Sequence, residues 1–163
     1  MQQSESRRPQ SGFTLIELMV TVAVLVILLA VAIPSMSTFV SSQRVKTSSF
    51  DVYAALMYAR SEAIKRRSNV SVVSATTDWS SGWTVQDDAT AAVLRSQDAT
   101  KGVVVTASTA TITYKLDGRL ATGSALVEVA SQTNSNQAGR RCLSVDTTGL
   151  PKSRTLTGSA TCP

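Results

Sequence analysis

Histidine is absent from this 163-residue chain, and with it go the commonest general base and the commonest metal ligand. Without it no Ser–His–Asp or Cys–His pair can be assembled, no metal-ligand cluster appears, and no glycine-rich phosphate loop follows a strand. The sequence therefore reads as a non-enzyme that needs no cofactor and no metal. Cysteine is nearly absent too: Cys142 and Cys162 are the only two. Redox or zinc chemistry would want closer spacing or more ligands. In an exported domain the pair reads as one disulfide closing a loop of about 20 residues, worth roughly 3 kcal/mol in the chain-entropy model. Two unpaired buried thiols are the alternative. Aromatic residues are only 5% of the chain and none follows Tyr114, so the C-terminal third offers no stacking platform for single-stranded nucleic acid.

Aliphatic residues are present, but concentrated. After a polar start carrying Arg7 and Arg8, an almost unbroken apolar run extends from Phe13 to Ile33 and meets Pro34. As a helix that run is about 31 Å long, able to cross a bilayer core. Arg7 and Arg8 favour a cytoplasmic N-terminus. A secretory signal peptide would have a shorter apolar core and a small-residue cleavage site after it, which Ala32-Ile33-Pro34 does not supply. A plain anchor fits the length but leaves Glu17 unexplained: a carboxylate costs roughly 2.5–3.5 kcal/mol at bilayer centre, less near the interface, and signals a partner. Pro34 lacks a backbone N–H and obstructs the preceding turn, so a kink or local melting is expected there.

The residues Gly12-Phe13-Thr14-Leu15-Ile16-Glu17-Leu18 behind a short basic leader resemble the start of type IV pilin-like proteins, which comprise pilins, minor pilins and type II secretion pseudopilins. The resemblance implies that a prepilin peptidase cuts between Gly12 and Phe13 and that the Phe13 amine is methylated. It also implies that Glu17 serves filament assembly. Physical chemistry agrees with those roles. Gly12 presents no side chain to obstruct a peptidase, and Glu17 can neutralise a neighbouring subunit's terminal amine where the dielectric is low.

Beyond Pro34 a helical pattern persists to about Arg67. Phe50, Tyr53, Leu56, Met57, Ile64 and intervening alanines recur at three- and four-residue steps, predicting one apolar face. Arg44, Lys46, Asp51, Glu62, Lys65 and Arg66 fall largely on the other sides, and Lys65-Arg66-Arg67 reads as a solvated helix end. From Asn69 the period changes to two. Short strands are expected at 70–73, 83–85, 92–94, 103–105, 111–114 and 126–129, with turn signals at Ser81-Gly82 and Asp117-Gly118. Asp87-Asp88 reads as a solvated turn, and 131–139 as an exposed loop. A last hairpin pairs 142–145 with 153–156 and turns near Gly149.

Tyr58-Ala59-Arg60-Ser61-Glu62-Ala63-Ile64, Trp79-Ser80-Ser81-Gly82-Trp83, Leu116-Asp117-Gly118-Arg119 and Arg141-Cys142-Leu143-Ser144-Val145 are similar to landmarks of the GspH/FimT branch. The fold implied is α+β: a long N-terminal helix packed on an antiparallel β-sheet or β-sandwich head. Its divisions are a leader (1–12), a transmembrane helix (13–34), an amphipathic helix (35–67) and a periplasmic head with a C-terminal disulfide loop (68–163). The resemblance implies a minor pilin that helps initiate or cap a pilus, with a type II secretion minor pseudopilin as the alternative. The implied partners are the prepilin peptidase, other pilins or pseudopilins, and the inner membrane, which holds the protein before assembly into a filament.

The formal charge of +5 belongs to the chain from Arg44 onward, since Arg7 and Arg8 are cancelled by Glu5 and Glu17. Arg140, Arg141, Lys152 and Arg154 stand near the C-terminus with only Asp146 among them, and a disulfide would gather them near one edge. They are the candidate site for double-stranded DNA, bound through phosphates in a salt-sensitive way. Some FimT-like minor pilins bind DNA during natural transformation through a Gly-Arg motif. The similar stretch here is Gly149-Leu150-Pro151-Lys152-Ser153-Arg154, with Leu150 where that motif has arginine. A solvated basic edge, or one pairing with an acidic neighbour, is the alternative.

Overall fold

Thr14 opens the first element. Its hydroxyl accepts a hydrogen bond from the Glu17 N–H (3.3 Å) and its carbonyl accepts the Leu18 N–H (3.2 Å), capping helix α1, Leu15–Arg66. A computed structural model describes residues 12–76, 78–133, 139–158 and 160–162, with side chains omitted at 31–35. The leader before Gly12 and most of the loop expected at 131–139 thus lie outside the described residues. The helix is continuous through Pro34 rather than melting there.

The chain divides into two compact units, Met1–Met36 and Ser37–Pro163. In the first, every described side chain from Phe13 to Ala30 is exposed. Among the described residues no helix is long and apolar enough to cross a membrane. The expected span includes 31–33, whose side chains are outside the description.

In the second unit α1 buries Val45, Ser48, Ser49, Val52, Ala55, Leu56, Ala59, Glu62 and Ala63. This corrects the predicted face. Leu56, Ala55, Ala59 and Ala63 are in it, whereas Phe50 is 67% exposed and Ile64 48% exposed. Steps of three and four still define the stripe, but alanine and serine carry much of it.

Eight strands follow: β1 Val70–Ser74, β2 Gly82–Asp87, β3 Ala92–Asp98, β4 Val103–Ala107, β5 Thr111–Tyr114, β6 Ala125–Ser131, β7 Arg140–Val145 and β8 Pro151–Leu156. They form two four-stranded antiparallel sheets, ordered β3-β2-β1-β5 and β4-β6-β7-β8. Alternation selects the inward residues: Val70, Val72, Val85 and Ile112 from one sheet, Val127, Val129, Leu143 and Val145 from the other, all within one core that includes the helix stripe. Between β1 and β2 the turn Trp79–Ser81 links the sheets. Trp79 donates its indole N–H to Thr109 O (2.9 Å), and Ser80 Oγ accepts the Val105 N–H (2.9 Å) on β4.

Candidate functional site

The sequence points to three places: the start of α1, the helix end with the acidic pair, and the β7–β8 hairpin. At the first, Gly12 and Phe13 precede the cap residue, with open space around Gly12. Thr14-Leu15-Ile16-Glu17 has the spacing of a capping box, a signal that the sequence reading passed over. Glu17 is also an acid in the first helical turn, where it complements the helix dipole. An acid at this position therefore suits the start of the helix, beside any role between subunits.

At the other end of α1 Lys65, Arg66 and Arg67 are exposed, as expected of a solvated helix end, but Asp87 is not the solvated turn residue expected. Glu62 is 6% exposed and Asp87 4% exposed. Arg66 bridges them, its Nε 2.6 Å from Glu62 Oε2 and its Nη1 3.4 Å from Asp87 Oδ2, and Lys65 reaches Glu62 at 3.4 Å. Ser68 Oγ and the Ala89 N–H also donate to Asp87, at 3.1 and 3.0 Å. The Arg66 hydrogen bond holds the Glu62 carboxyl below its ordinary range, against the effect of burial. Asp87 is likewise lowered, by the Ala89 amide first and then by Ser68 and Arg66. Buried carboxylates need such partners, so this network is a structural latch joining the helix end to β2. Asp88 is exposed and accepts from Ser71 Oγ at 2.9 Å.

A second joint explains two of the glycine landmarks. Gly118 N–H donates to Lys115 O (2.8 Å), and Gly118 O accepts Arg60 Nε from the helix at 3.0 Å. Gly149, at φ +78°, sits so close to the Gly118 carbonyl that a Cβ there would collide with its oxygen. Helix, β5–β6 loop and β7–β8 turn are thereby stacked.

In the hairpin, Cys142 and Cys162 form the expected disulfide, with Cα atoms 5.5 Å apart. All four cations lie on β7 or β8, the edge pair of the second sheet, but they do not share a face. The register pairs Cys142 with Arg154 and Ser144 with Lys152, which puts Arg140, Lys152 and Arg154 on the face opposite Leu143 and Val145. Arg141 lies on the helix side. Arg140 is already engaged: Nε meets Glu128 Oε1 at 2.7 Å, while Nη1 and Nη2 reach the carbonyls of Gly158 (3.4 Å) and Ala160 (2.5 Å). With the disulfide it ties the C-terminal tail to β7. Lys152 pairs with Asp146 at 3.3 Å, both ends open to water. Asp146 is held below the ordinary carboxylate range chiefly by the Thr148 hydroxyl. Arg154 is exposed and unpaired among the described residues.

The build just described, a long N-terminal helix carrying a two-sheet antiparallel head, is that of pilin-like proteins. Solved structures of the Pseudomonas aeruginosa (strain PAO1) type IV minor pilin FimU share it. One is 25% identical with a TM-score of 0.58, covering 67% of this chain and 91% of that one. A second crystal form is 24% identical with a TM-score of 0.60, covering 74% and 93%. The minor pseudopilin EpsH of the Vibrio cholerae type 2 secretion system shares the fold at 12% identity and a TM-score of 0.54, over 72% of this chain and 99% of that one. No curated protein matches the sequence. Residues 51–149 match the family described as type II transport protein GspH, and residues 7–33 match the prokaryotic N-terminal methylation motif. The chain belongs to the GspH family of minor pilin and pseudopilin subunits.

Proposed function

We propose that this protein is a minor type IV pilin, cut between Gly12 and Phe13, methylated on Phe13 and assembled from the inner membrane into a filament that it helps to initiate or cap. The observation that carries this reading is the first unit of α1. Large aliphatic side chains from Leu15 to Leu29 are exposed on all sides, interrupted by a single carboxylate, Glu17. An apolar surface of that extent needs lipid or like helices around it. The N-terminal methylation motif over residues 7–33 supports the processing step. The pilus side is favoured over type II secretion by the higher identity to FimU than to EpsH. Before assembly the helix would hold the protein in the inner membrane, with residues 68–163 in the periplasm.

The test is complementation of strains lacking either the pilus minor subunit or its secretion counterpart. Restored piliation without restored secretion supports the assignment; restored secretion alone transfers the protein to the pseudopilus. Glu17→Val should be processed yet fail to enter sheared filaments, and normal incorporation of that variant would remove Glu17 from assembly.

A second reading, duplex DNA capture, rests on exposed Arg154 and Lys152 side by side on the outer face of β8. The internal use of Arg140 and the opposite facing of Arg141 reduce the candidate footprint from four cations to two. Two phosphate contacts give weak affinity with a shallow salt slope, roughly −2 on a log–log plot. Loss of binding on double substitution of Lys152 and Arg154 by Ala would support this reading; a steeper slope, or one that the substitutions leave unchanged, would place DNA elsewhere.

A further inference from the structure

Of the four outer edges of the two sheets, β5 and β4 are partly closed, whereas β3 and β8 are open. The β5 edge is closed by its own loop, with Ala121 N–H on Thr113 O and Lys115 N–H on Arg119 O, at 2.9 and 2.8 Å. Ser80 Oγ covers part of the β4 edge. At β8, by contrast, four consecutive residues from Lys152 to Thr155 are exposed. No backbone hydrogen bond from a described residue outside the sheet reaches the strand. An edge of that kind has peptide groups ready to pair with another strand.

Beside this edge, between β7–β8 and α1, runs a groove of about 530 Å³ lined by Lys46, Phe50, Tyr53, Arg141 and Ser153. An adjoining hollow of about 270 Å³ shares Lys46 and Arg141 and adds Phe39 and Thr155. Among the described residues, Lys46 and Arg141 are the only charged side chains lining it, both cationic, and neither has a hydrogen bond or ion pair to another of them. Phe50 is exposed there although it lies on an otherwise well-packed helix. On the other face of the same strand stand Lys152 and Arg154.

We propose that β8 and this groove form a docking site for an extended acidic segment of another protein, which adds as a strand to β8. Its inward side chains would alternate onto Phe50, Tyr53, Lys46 and Arg141. Its outward acids would meet Lys152 and Arg154. Main-chain pairing supplies affinity and alternate side-chain pockets supply selectivity. The cations also exclude the commonest wrong partner. A second copy's β8, laid antiparallel about Ser153, would set Lys152 against Arg154, and like charges directly opposite are unfavourable. The site is independent of processing at Gly12, and its chemistry favours a flexible acidic strand over duplex DNA, whose phosphates can accept from the edge N–H groups but cannot donate to the edge carbonyls.

The test uses the full chain in detergent micelles and a labelled, terminally blocked peptide in which pairs of glutamates alternate with pairs of valines, so that both faces of the added strand carry acid, long enough to cover β8. Fluorescence anisotropy should show binding that weakens with salt, and none for a lysine–valine peptide. Lys46→Glu with Arg141→Glu should weaken it by roughly tenfold or more. The same peptide methylated on alternate backbone nitrogens keeps its charge but cannot pair, so it should lose affinity against the unaltered protein. Absence of binding, equal binding of the N-methylated peptide, or indifference to the charge reversal would overturn the proposal. So would duplex DNA binding with the Lys46 and Arg141 dependence while the peptide does not bind.

Discussion

One helix runs through both units and does opposite things in each. From Leu15 to Leu29 its large aliphatic side chains are exposed; from Val45 to Ala63 its inward stripe, largely of small residues, is buried. Hydrophobicity alone would rank the first segment as the better core. The second is core because Ala55, Ala59 and Ala63 share one buried cluster with Val72 and Val85 of one sheet and Val127 and Leu143 of the other. A helix is thus assigned to a core by what can approach it, and to a membrane or a filament by what cannot be covered in its own chain.

The comparison is broken most forcefully by equal truncations on the two sides. Leu56→Ala should destabilise the head by about 2–5 kcal/mol in chemical denaturation, the usual cost of a buried leucine. Leu25→Ala should leave head unfolding within roughly 0.5 kcal/mol of the parent. Equal effects would mean that the exposed segment also supports the head. Next in size, Gly149→Ala forces both a left-handed backbone and a collision with the Gly118 carbonyl, and should lower stability by about 1–3 kcal/mol. A neutral result would show that the loop stack is loose.

A smaller effect concerns the latch at the helix end. Glu62 and Asp87 are both held below their ordinary ranges in the fold. Their contribution is therefore present above the unfolded carboxylate range and lost as the pH falls through the folded values. Thermal melts of the parent should drop steeply on the acid side of pH 4–5 or so, and Asp87→Asn should flatten that limb while lowering the neutral plateau. An unchanged acid limb would remove the latch from the account.

Much of this was legible in the sequence, for identifiable reasons. Each of the eight strands contains the segment expected for it, though most run longer, and α1 ends within a residue of the expected Arg67. The inward face of the helix was not legible, because alanine and serine carry little hydrophobic signal and exposed Phe50 drew the predicted face toward itself. Asp87 looked like a turn residue because its partner Arg66 is 21 positions away in the chain. The basic cluster looked like one patch because β7 was expected to start at Cys142. Starting at Arg140, neighbours Arg140 and Arg141 face opposite ways, and Glu128 across the register takes up the first of them. Contacts between distant residues decide which charges remain free, and no local pattern encodes them.

The central claim, that the exposed apolar segment belongs to a processed filament subunit, is tested most directly at its first residue. The full chain, co-expressed with a prepilin peptidase and recovered from membranes, would be analysed by intact-mass and N-terminal peptide mass spectrometry. The account predicts a chain that begins at Phe13 and is one methyl group heavier there, with Gly12→Leu remaining uncut. An N-terminus that stays at Met1 in the parent, or cleavage beyond Pro34 as for a secretory signal, would contradict it.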